Sequence, residues 1–205
     1  MATIVFAIAA YLIGSLSFAV IVSRAFRLPD PHSYGSGNPG ATNVLRTGKK
    51  LAAALTLAGD TGKGALAVLL AKHFAADYGV DISGIALVAL AVFLGHVYPV
   101  FFRFKGGKGV ATALGILCAI DVRLGLATLA SWLLVVLMFR MVSLASIIAA
   151  VAAPICTVWL FGGASPLLPA VLLLAALLIY RHKENIQRLL AGKEARIGAK
   201  KHDPA

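Results

Sequence analysis

The sequence predicts an all-α integral membrane protein of seven transmembrane helices, the fourth short or broken, with the N-terminus outside and the C-terminus inside. Three observations carry that prediction. Hydrophobic residues make up 60% of the chain and its mean hydropathy is +0.90, outside the range of globular domains, so lipid must be part of the solvent. Apolar runs approaching the roughly 20 residues that cross a hydrocarbon core of about 30 Å recur along the chain. Lysine and arginine gather in alternate connections, as they do when positive loops stay on the cytoplasmic side during insertion.

The runs span residues 3–22, 51–70, 82–102, 110–120, 122–139, 144–161 and 167–180. The first has no basic stretch before it and no small-residue cleavage site before Arg24, so it reads as a retained span rather than a signal peptide. The fourth, at about 1.5 Å per residue, covers only about half of the hydrocarbon. Parity keeps it, because without that crossing Arg140 and the tail would fall on sides that the charge bias forbids. It is expected to be extended by Lys108 and Gly109 at one end and by Asp121 at the other. Gly106, Gly107 and Gly109 predict a re-entrant helix start, since irregular backbone at membrane depth survives only where protein or a wet cavity satisfies it. Loops 76–81, 121–123 and 162–165 are short and carry no chemistry. Residues 1–205 read as a single polytopic membrane domain with a basic tail from about 181 to 205.

Alternating the flanks puts Arg24, Arg27, Arg46, Lys49, Lys50, Arg103, Lys105, Lys108 and Arg140 on the same side as the tail cations Arg181, Lys183, Arg188, Lys193, Arg196, Lys200 and Lys201. Lys72 and Arg123 lie opposite and Lys63 lies within a span. A net charge of +11 would indicate nucleic acid in a soluble chain, but here insertion accounts for it, so lipid rather than nucleic acid is the expected partner. Cys118 and Cys156 both sit in apolar runs, where a free thiol behaves as a small hydrophobe. They build neither a disulfide framework nor a zinc site.

Three polar segments fall on the positive side. The first is Gly35-Ser36-Gly37-Asn38-Pro39-Gly40-Ala41-Thr42-Asn43, followed by Arg46. Glycines let successive backbone N–H groups turn toward one point and hold an anion. Ser36, Thr42 and Asn43 add side-chain donors, and the Arg46 guanidinium is a planar fork suited to phosphate. Taken alone, such a segment is equally a flexible polar turn. The second runs from Gly95-His96 through Pro99 and Lys105-Gly106-Gly107-Lys108-Gly109 to Thr112. It places Lys108 at a helix start whose free N–H groups and dipole already favour an anion. It is not a P-loop, because Gly109 stands where that motif needs Ser or Thr. The third is Arg181-His182-Lys183-Glu184-Asn185-Ile186 and the residues to Gly192. On a continuing helix His182, Asn185 and Leu189 share a side, while Ile186 and Leu190 supply an apolar stripe for the membrane surface.

Other polar residues read as structural. Asp60 and Lys63, three apart inside the second span, are expected to neutralise each other, since lone charges in hydrocarbon are costly. His96 reads as a helix-packing residue rather than a catalyst, with contact to substrate the lesser alternative because intramembrane ionisable groups tend to be functional. Ser143 and Ser146 lie close enough to the positive side to join it, although serine in a membrane helix usually bonds its own backbone.

These three segments closely resemble the signature motifs of the PlsY family of acyl-phosphate:glycerol-3-phosphate acyltransferases, in number, order and sidedness. The resemblance implies a seven-helix protein of the bacterial plasma (inner) membrane. It also implies transfer of a fatty acyl group from acyl phosphate to the 1-position of glycerol 3-phosphate, giving lysophosphatidic acid and phosphate, the first committed step of bacterial phospholipid synthesis, without metal or cofactor. Lys108, Arg46, Ser36, His182 and Asn185 are the expected catalytic residues. Gly35, Gly37, Asn38, Gly40, Thr42, Asn43, Lys105, Gly106, Gly107 and Ser146 are the expected substrate contacts. Ser36, the backbone of 35–40 and Arg46 would hold one phosphate, and Lys108, His182 and Asn185 would position glycerol 3-phosphate and the reacting centre. Either a protein group or a phosphate oxygen of the donor fits as the acceptor of the hydroxyl proton. The residues themselves agree: the site is rich in cations, the chain has no His-x4-Asp pair and no Gly-x-Ser-x-Gly elbow, and His73 and Asp77 are four apart on the other side. The rival class is a transporter of a phosphorylated solute, which also uses interrupted helices but needs polar groups toward both faces. A membrane anchor would explain the basic tail and not the glycines.

Overall fold

Ten α-helices and one 3-10 turn follow one another along residues 1–198, the residues that the computed structural model describes, with no strand among them. Lys200 and Lys201, counted above among the tail cations, lie outside the described residues. The helices are α1 (Ala2–Gly14), α2 (Phe18–Ala25), α3 (Ala41–Leu45), α4 (Lys50–Tyr78), α5 (Ile82–Val97), α6 (Val110–Ile120), α7 (Val122–Phe139), α8 (Val142–Phe161), α9 (Leu167–Arg181) and α10 (Lys183–Leu190), with the 3-10 turn at Val100–Phe102. Five segments are long and apolar enough to cross a membrane: α1 with α2, α4, α5 with its 3-10 turn, α7 and α8. α6 and α9 are shorter apolar helices. Leu137, Ile155 and Trp159 are exposed on these helices, as lipid-facing side chains would be.

The first apolar run is not one helix. It breaks at Ser15–Ser17, where Ser17 is extended at φ −88, ψ 97. Long-range partners hold the break open. The Ser15 hydroxyl donates back to the Tyr11 carbonyl at 2.9 Å and accepts the Val100 N–H at 3.3 Å, while the freed Leu16 carbonyl accepts the Lys63 ammonium at 2.6 Å. The expected extension of the short span is also absent. Gly109, at φ +86, stops α6 at Val110, and Asp121, extended at φ −155, caps α7 by accepting the Arg123 N–H at 2.8 Å.

Helices pack through small residues, as they do where lipid removes the hydrophobic drive between them. α4 lies against α6, α1 against α5 and α7 against α8. A Cβ on Gly64 would stand 2.4 Å from the Thr112 carbonyl oxygen and one on Gly115 2.0 Å from that of Thr61, so α4 and α6 touch backbone to backbone. Gly14 and Gly95 do the same for α1 and α5, at 2.1 Å from the Val92 oxygen and 2.2 Å from the Tyr11 oxygen. At the far end of α6 the Lys72 ammonium donates to the Ala119 and Ile120 carbonyls at 2.9 and 3.0 Å, placing a cation on the negative end of the helix dipole.

In mid-bundle Lys63 and Asp60 pair at 2.9 Å, as the spacing predicted, and the His96 Nδ1 lies 3.5 Å from the same Asp60 oxygen. All three are buried. Removing one partner of such a pair leaves an uncompensated charge, whereas removing both leaves none. Asp60→Asn should therefore lower stability by on the order of 3 kcal/mol, and Asp60→Asn with Lys63→Met should regain most of it. Thermal unfolding in detergent checks both, and a double variant as weak as the single one would refute the pairing.

Candidate active site

The polar segments meet at the end of the bundle formed by the C-termini of α5 and α9 and the N-termini of α6 and α8. The second segment is their platform. After α5 the chain turns at Pro99, passes through Arg103 and Phe104 at positive φ (51° and 60°), and lays Gly106 and Gly107 flat on the buried His96. A Cβ on Gly106 would stand 2.1 Å from the His96 carbonyl oxygen and one on Gly107 2.3 Å from its Nε2, so no side chain fits at either position. The Gly107 N–H donates to that His96 carbonyl at 3.2 Å. Lys108 follows, half-buried, immediately before α6.

The first segment leans on this platform. The His32 Nε2 donates to the Lys105 carbonyl at 3.0 Å, and the position of a Gly107 Cβ is 3.0 Å from the Pro39 carbonyl oxygen. Within it Gly35 and Gly37 take φ +61 and +65, the left-handed turn that glycine adopts without strain. Arg46, exposed at the end of α3, lies over that turn, its Nη1 3.0 Å from where a Gly35 Cβ would be. Ser36 is exposed beside it, Asn38 lies next to Gly40, and Thr42 is exposed on the first turn of α3.

Asn43 corrects an expectation. It is 2% exposed, its Oδ1 accepts the Ser36 N–H at 3.0 Å, and its Nδ2 donates to the Pro31 and Tyr34 carbonyls at 2.8 and 3.2 Å. Its amide is therefore consumed in shaping the loop and holding Ser36 rather than offered to a ligand. The nest is also smaller than the glycines suggested, because the Gly37 N–H is taken by the Tyr34 carbonyl at 2.9 Å.

The third segment clasps the platform from the other side. The Arg181 Nη2 donates to the Gly106 carbonyl at 2.9 Å, and its guanidinium lies 5.8 Å from the centre of the Tyr98 ring. The helix does not run on as expected, because His182 separates α9 from α10. The reason is local: the His182 Nδ1–H donates to the Leu178 carbonyl at 2.8 Å, turning the ring inward. Both His182 and Asn185 are buried, and the Lys108 ammonium donates to the Asn185 Oδ1.

Burial, with Arg188 nearby, holds the Lys108 ammonium below its usual range, opposed by Glu184 and Glu194. Burial also pushes the His182 imidazole down to about 4, against the Leu178 hydrogen bond and with Lys108 adding to the shift. His182 is thus neutral near pH 7, with its proton on Nδ1 and an acceptor lone pair on Nε2.

Ser146 is a second correction. Its hydroxyl donates to the Val142 carbonyl at 2.8 Å and accepts the Trp132 Nε1–H at 3.2 Å, so it serves the packing of α7 on α8. Sequence reasoning missed His32, the site-facing parts of Arg181 and Arg188, and above all Glu194. The available signal for Glu194 was that it and Glu184 are the only acids between residues 181 and 198. A cavity of about 540 Å³ lined by Lys72, Ile82, Ile120 and Phe161 lies at the opposite end of the bundle and has no part in this site. An apolar groove of about 510 Å³ between α8 and α9 runs from Val158 and Leu168 to Ala150 and Ile179, three residues before His182.

Comparison with known proteins gives one consistent answer. Residues 4–192 match the family model described as glycerol-3-phosphate acyltransferase. The chain is 63% identical over 201 residues to a glycerol-3-phosphate acyltransferase of Herminiimonas arsenicoxydans, covering 98% of each protein. It superposes with a TM-score of 0.88 and 41% identity on the crystal structure of PlsY (YgiH), an integral membrane glycerol 3-phosphate acyltransferase, in its glycerol 3-phosphate form, over 97% of this chain and 96% of that one. The lysophosphatidic acid form of that protein matches with a TM-score of 0.87 and 40% identity, over the same shares. The all-helical chain is therefore a multi-pass membrane protein.

The imidazole state has a measurable consequence. An unfolded chain protonates His182 near pH 6.5, while the folded one resists until about pH 4, so between these values the unfolded state binds more protons. The stability that neutral His182 contributes is complete above pH 6.5 and is lost as pH falls toward 4. Thermal unfolding from pH 7 to 4.5 should slope more steeply for the wild type than for His182→Gln. Parallel slopes would mean that the ring is not held neutral.

Proposed function

The chain belongs to the glycerol-3-phosphate acyltransferase family, and from that premise we propose that it transfers a fatty acyl group from acyl phosphate to the sn-1 hydroxyl of glycerol 3-phosphate. The products are lysophosphatidic acid and phosphate. The observation that carries the reading is the joining of Lys108, Asn185 and Arg181 on the glycine platform, with Arg46 and Ser36 on the adjoining loop. Both substrates carry phosphate, and this set offers cations and donors with few carboxylates.

Acyl phosphate is an activated mixed anhydride, so orientation and electrostatic stabilisation supply much of what the reaction needs. The glycerol hydroxyl attacks the acyl carbonyl, the C–O bond to phosphate breaks, and the departing phosphate carries away the electron pair. A phosphate oxygen of the donor takes the hydroxyl proton. A neutral His182 with a pKa of about 4 supports that assignment, because so weak a base removes a hydroxyl proton poorly at pH 7, while its Nε2 still orients the hydroxyl by accepting a hydrogen bond. In this proposal Ser36, Arg46 and the 35–40 turn, with Asn38 and Thr42 at its rim, hold one phosphate. Lys108, Asn185, Gly106, Gly107 and Lys105 hold the other and the reacting centre. The acyl chain lies in the groove between α8 and α9.

We further place seven crossings in one polytopic domain of the bacterial inner membrane, with α6 and α9 as the short ones, the N-terminus outside and the site and basic tail on the cytoplasmic face, where both phosphorylated substrates would be met. The positive-side clustering of site and cations supports this orientation.

Lys108→Ala should lower turnover by roughly a hundredfold or more, the scale for removing one preorganised charge donor, with little change in detergent melting temperature. Near-normal turnover would take Lys108 out of the mechanism. Purified protein given glycerol 3-phosphate with acyl phosphate, acyl-CoA or acyl carrier protein thioester in separate assays should form lysophosphatidic acid only with the first, and activity with a thioester alone would reject the donor.

A further inference from the structure

The last described stretch of the tail does not trail away. The Lys193 N–H donates to the Arg188 carbonyl at 2.8 Å and the Ile197 N–H to the Arg140 carbonyl at 2.7 Å, so residues 193–198 strap the end of α10 to the α7–α8 turn. A Cβ on Gly198 would meet the Arg140 Nη2 at 2.9 Å. Between these anchors Glu194 turns inward. Its side chain is 8% exposed, its Oε1 accepts the Asn185 Nδ2–H at 2.7 Å, and its Oε2 accepts the Arg188 Nε–H at 2.8 Å. Lys108 donates to the other end of the same Asn185 amide. Burial raises the Glu194 carboxyl, but Ser143, Asn185 and Arg188 outweigh it and keep the group below its ordinary range, hence ionised.

An ionised carboxylate thus occupies the donors that an incoming phosphate would use. Two anions do not share them, because the cations that neutralise one are withdrawn from the other and like charges in a partly desolvated site repel. A phosphate group has one more terminal oxygen and more negative charge than a carboxylate, so it is the stronger ligand for the same set. We infer that Glu194 competes with substrate: its carboxylate holds the Asn185 and Arg188 donors beside Lys108 in the resting protein, and the phosphate group of a substrate displaces it and frees the strap. The inference rests on the reading of this site as one for phosphorylated substrates. It concerns a segment past residue 192, where the match to the family model ends.

If the tail is docked about nine-tenths of the time, the apparent KM for the displacing substrate is raised about tenfold. Glu194→Gln should then lower that KM severalfold. Ile197→Pro, which removes the N–H donated to Arg140 and restrains the backbone there, should weaken the strap without touching Glu194 and lower that KM in the same direction by a smaller factor. Glycerol 3-phosphate varied at saturating acyl phosphate, and the reverse, identify which phosphate does the displacing. An unchanged or raised KM for both substrates, or a fall in kcat alone, would make Glu194 a staple of Asn185 and overturn the proposal.

Amide hydrogen exchange of residues 193–198 in the full-length protein supplies a readout that needs no acyl transfer. Inorganic phosphate or glycerol 3-phosphate at saturation should accelerate exchange at Ile197, and unaltered protection would also overturn the proposal. If no acyl transfer is found with any donor, the functional reading fails by itself while the exchange experiment still decides the strap.

Discussion

The flat seating of Gly106 and Gly107 on His96 is the contact from which the rest of the site hangs. Because neither glycine has room for a Cβ, the platform sits as low on the end of α5 as a chain can. Only from there does the Gly106 carbonyl reach Arg181, the Lys105 carbonyl reach His32, and Lys108 reach Asn185. Beneath it, the His96 Nδ1 lies 3.5 Å from Asp60, Asp60 pairs with Lys63, and Lys63 donates to the Leu16 carbonyl at the break between α1 and α2. A chain of buried polar contacts therefore runs from an interrupted helix in mid-bundle to the lysine at the site. Ion pairing of Asp60 with Lys63 offsets the charge so deep in an apolar bundle, although Asp60 Oδ1 completes no well-aligned hydrogen bond there, and a partly satisfied network is costly to disturb.

Electrostatics at the rim follow a different rule. Lys108, Arg181 and Arg188 crowd one small volume, and burial first, then repulsion from Arg188 and Arg181, lowers the Lys108 pKa. Unrelieved, that crowding would favour a neutral lysine, which cannot bind phosphate as a cation. Glu184 and Glu194 oppose the shift. The cations of the site are thus balanced in this structure by acids of its own chain, Glu184 and Glu194.

Much of the bundle was legible in the sequence because a membrane imposes a one-dimensional constraint, and runs 82–102, 110–120 and 122–139 coincide with observed segments. The Asp60–Lys63 pair was legible because its partners are three residues apart on one helix. What escaped reading has partners far away in sequence. The break at Ser15–Ser17 is held by Val100 and Lys63, the amide of Asn43 is consumed by Pro31, Tyr34 and Ser36, and Ser146 is taken by Trp132. Residue type announced a donor in each case, but not whether the fold had already used it. Glu194 escaped for the same reason, since only its docking on Asn185 and Arg188 separates it from an ordinary tail charge.

The distribution of polar groups through the bundle also separates catalysis from transport. A solute carrier needs a polar path between the two faces. Here the buried ionisable side chains of the mid-bundle, Asp60, Lys63 and His96, lie against one another, and the threonines Thr56, Thr128 and Thr157 bond back to their own helices. At the far end Lys72 caps α6, and the cavity there is lined largely by apolar side chains. An acyl donor, by contrast, needs one polar end and one lipid-facing exit. The groove between α8 and α9 stops just short of His182, so on the function proposed above a molecule with its phosphate on the platform would have its hydrocarbon directed between two helices toward the bilayer. A product keeping both parts of that geometry would then leave sideways, with no need for the bundle to open.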